Sequence, residues 1–574
     1  MEGKNRYIKK IKMNFEKNIK DVLKKQLNLK EVVLEIPSNI ELGDYAFPCF
    51  TLSKFLKKSP VQISKELEQK IKLPKGVIKI ISIGPYLNFF IDKTIFSKEV
   101  ITNILRKKEK YGSSCFGKKE KVLVEFSSPN IAKPFGIGHL RSTVIGNSLA
   151  KIHSFLGYNV IKVNHIGDWG TQFGKLLYSF EKWGNKRDLR KDPINYLFNL
   201  YVKFHNELEK DNLLIEDARI YFKKLEEGNV KLTKLWSLFS SLSLSEFQRV
   251  YNLLNIDFDY IQGESFYQSK LDSTIDIIKK TIPTEISEGA LIVNLKKKNM
   301  PPLLLRKTNG STTYHTRDMA AALYRLNKFK PKKLLYVVGS EQRLHFNQLF
   351  EVLSMMNLSR EKFNHVDFGL INFPEGKMST RKGNIILLEE VLDKSINLAL
   401  TTINKKNPSL KNKEIIAKKV GIGSIIFADL SNDRIRNISF DWDKILDFEG
   451  ETAPYIQYTY ARARSILKKS KIKILSKNKI DFSLITTKEE YNLIKQISIF
   501  EEVLMKIATD LKPHHLAKYL LVLSQSFNEF YHKHKVIDLD NKEIMLARAS
   551  IVYSVAQIIK NGLNLLGIDV SEEM

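Results

Sequence analysis

Apolar residues recur with helical spacing over Asn14–Leu27, where Phe15, Ile19, Val22 and Leu23 share one face. Val32–Ile36, Ile78–Ile83 and Tyr86–Ile91 are short β-type runs, and the last two are joined across a Gly84-Pro85 turn as a hairpin. This predicts a small α+β module over residues 1–117, closed by the linker-like Gly112-Ser-Ser-Cys-Phe-Gly-Lys-Lys119. From Lys121 the pattern becomes βαβ. A strand over Lys121–Phe126 is followed by a glycine-containing loop. A helix beyond His139 then carries Leu140, Val144, Leu149 and Ile152 near helical spacing. Gly157 stands where a left-handed cap ends the helix, and Asn159–Asn164 is a second strand. Residues from about 180 to 290 form a lysine-rich, mostly helical insertion. Strand patterns return at Ala290–Leu295 and Leu334–Val338, which would continue the same sheet. Such alternation predicts a Rossmann-type doubly wound parallel sheet over 118–395. A connecting segment follows over 396–448, and from Glu449 to the end the pattern is an all-α helical bundle. The chain is thus read as multidomain α/β.

Composition changes this picture in two ways. At 574 residues the chain exceeds one compact core. Its 93 Lys+Arg against 63 Asp+Glu leave a net charge of +30, which favours a polyanion partner, nucleic acid first. Abundant Lys, Asn and Ile also fit a compositional bias without function. Cys49 and Cys115 are far apart, so neither a disulfide framework nor protein-bound zinc is expected, and a reducing cytoplasm fits. No apolar stretch is long enough to span a membrane, so no membrane partner is expected. The first twelve residues are basic without an apolar core; a tail, or a start at Met13, explains them.

Two segments carry the chemistry. Pro129-Asn-Ile-Ala-Lys-Pro-Phe-Gly-Ile-Gly-His139 would lie at the carboxyl edge of the sheet, where open α/β folds bind ligands. Gly136 and Gly138 let a nucleotide approach the backbone, and His139 sits at a helix start that attracts phosphate. A tight turn with a capping histidine is the plain alternative. Gly376-Lys-Met-Ser-Thr-Arg-Lys-Gly383 sets three cations between two glycines, suited to a triphosphate. Alone, it also reads as an exposed basic turn. A chain that joins the two segments can grip ATP from both sides.

With Asn164-His-Ile-Gly-Asp-Trp-Gly-Thr-Gln-Phe-Gly174, Tyr314-His-Thr-Arg-Asp318 and Glu451-Thr-Ala-Pro-Tyr-Ile-Gln-Tyr458, these motifs resemble the arginyl-tRNA synthetases of class I. The resemblance runs from about residue 80 to the C-terminus. It implies ATP-dependent attachment of L-arginine to tRNA(Arg) through an arginyl-adenylate, with Mg²⁺ arriving on ATP. It implies a monomer, and arginine activation that needs bound tRNA. The three regions become a tRNA-contacting domain, a catalytic domain and an anticodon-binding bundle. Catalytic charge work falls to His139, Lys377 and Lys133. ATP contacts fall to Gly136, Gly138, His139, Lys377, Met378, Ser379 and Arg381. Glu125, Tyr314 and Asp318 are carried to the guanidinium, and Ser128, Asn130 and Gln342 to the α-amino and carboxylate end. Carboxylates suit a planar cation in fork geometry; amides and hydroxyls suit a zwitterion. Core packing for Tyr314 and pairing with Arg317 for Asp318 are the plain alternatives. His165 could lie near the amino acid, while Trp169 reads as packing.

For tRNA, the resemblance carries Tyr455, Tyr458 and Arg462 to the anticodon loop and Tyr86 and Asn88 to the D-loop. Tyr455, Tyr458 and Arg462 share one helix face, a spacing that also suits a core stripe. The chain departs from the family at Gly136, where a histidine is usual, and at Thr380, where a second lysine is usual. Arg381, Lys382 or Lys133 would supply that charge. Two rivals remain at this point: a synthetase for another amino acid, lysine foremost, and an RNA-binding protein that has lost catalysis.

Overall fold

The computed structural model describes residues 9–37, 39–372, 386–471 and 480–574. Its contacts form two compact units. One comprises Met1–Ser114, Thr459–Glu502 and Val522–Asn561; the other comprises Cys115–Tyr458, Val503–Leu521 and Gly562–Met574.

In the first unit, β1 (Tyr45–Pro48), β2 (Val77–Ile83) and β3 (Tyr86–Ile91) form an antiparallel sheet in the order β1-β3-β2. The expected strand over Val32–Ile36 is reduced to one bridge, Glu35 with Ala46. Val33 and Ile36 stay exposed, so nothing rewards a longer ladder there. The helix Pro60–Lys70 starts at a capping box of Ser59 and Gln62, and Lys488–Ser498 starts at one of Thr487 and Glu490. Tyr491 donates its hydroxyl to Asp44 at 2.9 Å, and Arg548 Nε donates to buried Glu490 at 2.8 Å. The first contact ties the C-terminal helices to the N-terminal module across more than four hundred residues; the second joins two C-terminal helices.

The second unit is built on a five-stranded parallel sheet. Its strands are β4 (Lys121–Glu125), β5 (Asn159–Asn164), β6 (Tyr260–Ile261), β10 (Lys333–Tyr336) and β11 (Phe363–His365), in the order β11-β10-β4-β5-β6. Order reverses between β4 and β5 on one side and β10 on the other, so the loop after β4 opens at a switch point. The helix Gly138–Phe155 returns over the sheet and ends at Gly157, φ +84°, as the left-handed cap requires. A Cβ on Gly146 of that helix would lie 2.2 Å from Phe126, so glycine is what lets helix and strand meet.

The strand expected at Ala290–Leu295 exists as β8 (Ala290–Val293), but not in the parallel sheet. It pairs antiparallel with β7 (Glu285–Ser287) and β9 (Leu303–Arg306). The reason is local: Glu288 and Gly289 both have positive φ, a two-residue turn whose twist makes a hairpin. Leu291, Val293, Leu303 and Leu305 then join the core that buries Leu334 and Tyr336. Helices Thr171–Trp183, Pro193–Leu208, Leu214–Glu226 and Val230–Leu254 make up most of the segment between β5 and β6. Beyond β11, Leu388–Lys406 packs on Lys413–Leu430, and β12 (Ile371–Asn372) pairs in parallel with β13 (Ile438–Ser439). Among the described residues no helix is long and apolar enough to cross a membrane.

Candidate active site

The loop between β4 and Gly138–Phe155 holds non-glycine residues with positive φ at Ser127, Ser128 and Ala132. Such backbone is costly and survives only where its surroundings fix it. Here Ser127 N–H donates to Ser142 Oγ at 2.9 Å, whose hydroxyl donates to Val337 O at 2.6 Å. Ser127 Oγ also meets Tyr251 Oη at 2.8 Å, and Ser128 N–H donates to Asn164 Oδ1 at 3.1 Å. Asn130 lies beside Gly167, where a Cβ would come within 2.1 Å of its Oδ1. The glycine in the Gly-Asp-Trp-Gly block therefore makes room for Asn130. Trp169 packs edge-on against Phe222 and Trp236, as packing predicts.

At the phosphate end, Gly136 is buried and Gly138 exposed. A Cβ on Gly138 would meet nothing within 4 Å, so that glycine leaves open space above the helix start. Burial first, with the nearby Lys133 charge, lowers the His139 imidazole to about 4 against a backbone hydrogen bond at Gly136. The ring is neutral at pH 7 and donates from one nitrogen. Lys133 Nζ rests 5.1 Å over the Tyr201 ring. Lys377, Met378, Ser379, Thr380, Arg381 and Lys382 lie outside the described residues. Their flanks are held against the first motif. Ile137 N–H donates to Ile386 O at 3.0 Å and Leu388 N–H to Phe135 O at 2.9 Å. On the other flank, the fully buried Arg141 donates to Gly369 O and Arg436 O, both at 2.8 Å, and pairs with Asp429 at 2.9 Å.

A cluster of carboxylates and histidines gathers around Asp318. Asp318 is on the first turns of the helix Tyr314–Phe329, one turn past Tyr314, which is half-exposed. Its Oδ2 accepts from His345 Nε2 at 2.7 Å and its Oδ1 lies 3.7 Å from His165 Nε2. Burial alone would raise this carboxyl. The His345 hydrogen bond with the His345, His165 and Arg325 charges instead holds it below the usual carboxylate range. Arg317 pairs with Glu264 at 3.0 Å, not with Asp318. Burial raises Glu264 against the pull of Arg317. Tyr314 is stacked on His315 at 4.1 Å rather than packed in the core. Gln342 is exposed just before the helix Arg343–Met355, which carries His345.

Two of the expected contact residues are buried. Glu125 does not present a free carboxylate: it is 5% exposed and bonded to Nη1 of Arg325, itself 1% exposed. Asn88 is 3% exposed in the central strand β3, between Leu87 and Phe89, so its side chain is not offered to solvent. Tyr86 is part-exposed, against Phe50 at 5.8 Å. On the helix Ala453–Ser470, Tyr458 is exposed, Tyr455 is part-exposed, and Arg462 donates to Asn528 Oδ1 at 2.8 Å. The sequence reading missed Arg325, His345 and Glu264. Helical spacing from Asp318 to Arg325, two turns on, is the signal that could have found the first.

The comparisons with known proteins agree with one another. Family models described as "tRNA synthetases class I (R), catalytic domain", "DALR anticodon binding domain" and "Arginyl tRNA synthetase N terminal domain" match residues 100–442, 456–574 and 9–91. The chain is 48% identical to an arginine–tRNA ligase of Clostridium kluyveri, over 98% of this chain and 100% of that one. It is 47% identical to an arginine–tRNA ligase of Clostridium botulinum, over 100% of both. The solved structure of Thermus thermophilus arginyl-tRNA synthetase superposes with a TM-score of 0.82 at 25% identity, covering 98% of this chain and 99% of that one. Identity near one half over the whole length, and a catalytic-domain match over more than half of it, leave one assignment: the chain belongs to the arginyl-tRNA synthetase family of class I enzymes.

Proposed function

We propose that this enzyme attaches L-arginine to tRNA in two steps on the open edge of the parallel sheet. A carboxylate oxygen of arginine attacks the α-phosphorus of ATP, the bond to the β-phosphate breaks, and pyrophosphate leaves. A ribose hydroxyl at the tRNA 3′ end then attacks the carbonyl carbon of the adenylate, and AMP leaves. The protein's work is alignment and charge stabilisation. Neutral His139 donates a hydrogen bond to the α-phosphate oxygens, and Gly138 admits the nucleotide. Lys133, Lys377 and Arg381 neutralise the phosphates, with Met378 and Ser379 beside them. Mg²⁺ arrives on the triphosphate, whose oxygens are its hard ligands. Asp318 takes the guanidinium with Tyr314 beside it, while Ser128, Asn130 and Gln342 take the α-amino and carboxylate groups.

The observation that carries this reading is the Asp318 carboxylate, reachable and held ionised between His345 and His165. A point-charge ammonium fills one acceptor of such a site, whereas a guanidinium fills two in a plane. Tyr455, Tyr458 and Arg462 offer an aromatic and cationic face for unstacked anticodon bases. The enzyme acts as a monomer, a reading supported by Asp318, His345 and His165 coming from one chain, and it works in the cytoplasm, where its two cysteines stay reduced. The test is charging of tRNA(Arg) with each of the twenty amino acids, with ATP and MgCl₂, alongside light scattering of the free enzyme. Arginine alone is expected to be charged. Charging with lysine would overturn the Asp318 assignment.

A further inference from the structure

A pocket for a cation has a cation built into its wall. Arg325 is 1% exposed and lies two helical turns beyond Asp318 on the same helix. Its Nη1 bonds Glu125, and its Nη2 lies 3.3 Å from His165 Nδ1. The rings of Tyr267 and Tyr336 flank the guanidinium at 5.9 and 6.0 Å. Its Nε has no hydrogen-bond partner among the described residues. A second internal pair, Arg317 with Glu264, stands nearby.

Of the three carboxylates gathered here, Glu125 is hydrogen-bonded to one of the chain's own guanidinium groups, Glu264 lies 3.0 Å from Arg317 Nε without a hydrogen bond to it, and Asp318 pairs with no guanidinium. Exposure follows the same order. The side chain of Glu125 is 6% exposed, Glu264 25% and Asp318 29%. Hydrogen-bond contacts run from Glu125 through Arg325 to His165, whose Nε2 then lies 3.7 Å from Asp318 Oδ1. A guanidinium cannot lose its proton in a protein, so Arg325 always offers donors to Glu125 and toward the His165 ring. The His165 Nδ1 edge is thus fixed between the Arg325 guanidinium at 3.3 Å and the Gln262 carbonyl at 3.0 Å.

We infer that Arg325 is a specificity-determining positioning residue: it occupies Glu125, orients His165, and leaves Asp318 as the carboxylate that receives the substrate's guanidinium. This rests on the proposed seat of arginine at Asp318. It also reverses the expectation for Glu125, which acts on substrate through Arg325 rather than directly.

The test uses the full chain with tRNA(Arg). Arg325→Met is compared with Glu125→Gln, with the double variant Arg325→Met/Glu125→Gln, which leaves no unpaired buried charge, and with Arg325→Lys. In the double variant the arginine KM is expected to rise about tenfold, because His165 beside Asp318 loses the Arg325 contact that places it. The ATP KM and kcat should stay within about threefold, a split that a merely structural role would not give. Arg325→Lys, a point charge without the fork, should not restore arginine KM. If Glu125 bonds the substrate directly, freeing it in Arg325→Met lowers the arginine KM, and that result overturns the inference. A folded double variant with unchanged arginine KM overturns it as well. Asp318→Asn is measured in parallel. An unchanged arginine KM there means that the seat itself is wrong; a raised one beside an unaffected double variant means that only the role of Arg325 is wrong.

Discussion

Replacing Asp318 with asparagine removes one charge and little else. The amide keeps the shape of the carboxylate, and its oxygen still accepts from His345 Nε2, now 2.7 Å away. The fold should persist, with a modest loss of stability at neutral pH from the missing charge; the second contact, to His165 at 3.7 Å, is beyond hydrogen-bond length. The substrate loses more. Two unit charges 4 Å apart in a partly protein environment attract by about 4 kcal/mol at most. With the side chain 29% exposed, solvent screens part of this, and charged hydrogen bonds measured by substitution give about 1.5–3 kcal/mol. Taking about 2–3 kcal/mol, the arginine KM should rise roughly 30- to 150-fold. The assay is steady-state charging of tRNA(Arg) with arginine varied at saturating ATP. ATP KM should stay within about twofold, since His139 and Gly138 are untouched. Asp318→Ala should do worse, because it also leaves His345 without its acceptor. An arginine KM within threefold of the parent, in a folded Asp318→Asn enzyme, would refute the reasoning.

Three further outcomes follow from the geometry. Gly138→Ala should fold as the parent does, because its Cβ meets nothing within 4 Å, yet raise the ATP KM; unchanged nucleotide kinetics would mean that no ligand approaches there. Arg141→Met should destabilise by about 3–5 kcal/mol, since it strands buried Asp429, and Arg141→Met/Asp429→Leu should recover part of that in thermal melts. Because the His139 imidazole is lowered to about 4, its neutral form should leave kcat/KM for ATP free of a His139-dependent limb between pH 6 and 8. His139→Asn should cost about a hundredfold or more in kcat, and a His139-dependent limb near pH 6.5 would contradict the burial argument.

Acid stability gives a check on sign as well as size. The Asp318 carboxyl is held lower in the folded chain than in the unfolded one. The unfolded state thus binds the proton first as pH falls, and the group's contribution to stability is complete above about pH 3.9. It is lost only as pH drops through the lowered folded value, so Asp318→Asn should lower stability in the neutral region, soften the acid limb of a melt-versus-pH curve, and converge with the parent at the acid end.

Much of this protein is written locally. The strand Asn159–Asn164, the hairpin strand Tyr86–Ile91 and the helix closed by Gly157 were legible because alternation, helical spacing and a left-handed glycine cap are short-range properties. The family motifs were legible for a related reason: residues that hold one ligand cluster at the ends of successive strands, each with its own turn. Val32–Ile36 had the right residues for a strand but lacked a neighbouring ladder, and Ala290–Val293 was given to the wrong sheet because period does not name a partner.

What sequence by itself determined, then, is the order of elements, the loop that opens at the sheet edge, and the residue types gathered there. Only the tertiary structure decided which charges meet. Glu125 and Arg325 are 200 residues apart, Arg141 and Asp429 are 288, and neither pair leaves a trace in local pattern. Ile137 and Ile386 are likewise joined by backbone atoms alone, which every residue carries. Side-chain identity sets the supply of charge; burial and distance decide whether a carboxylate is spent on the chain's own arginine or left for the substrate's.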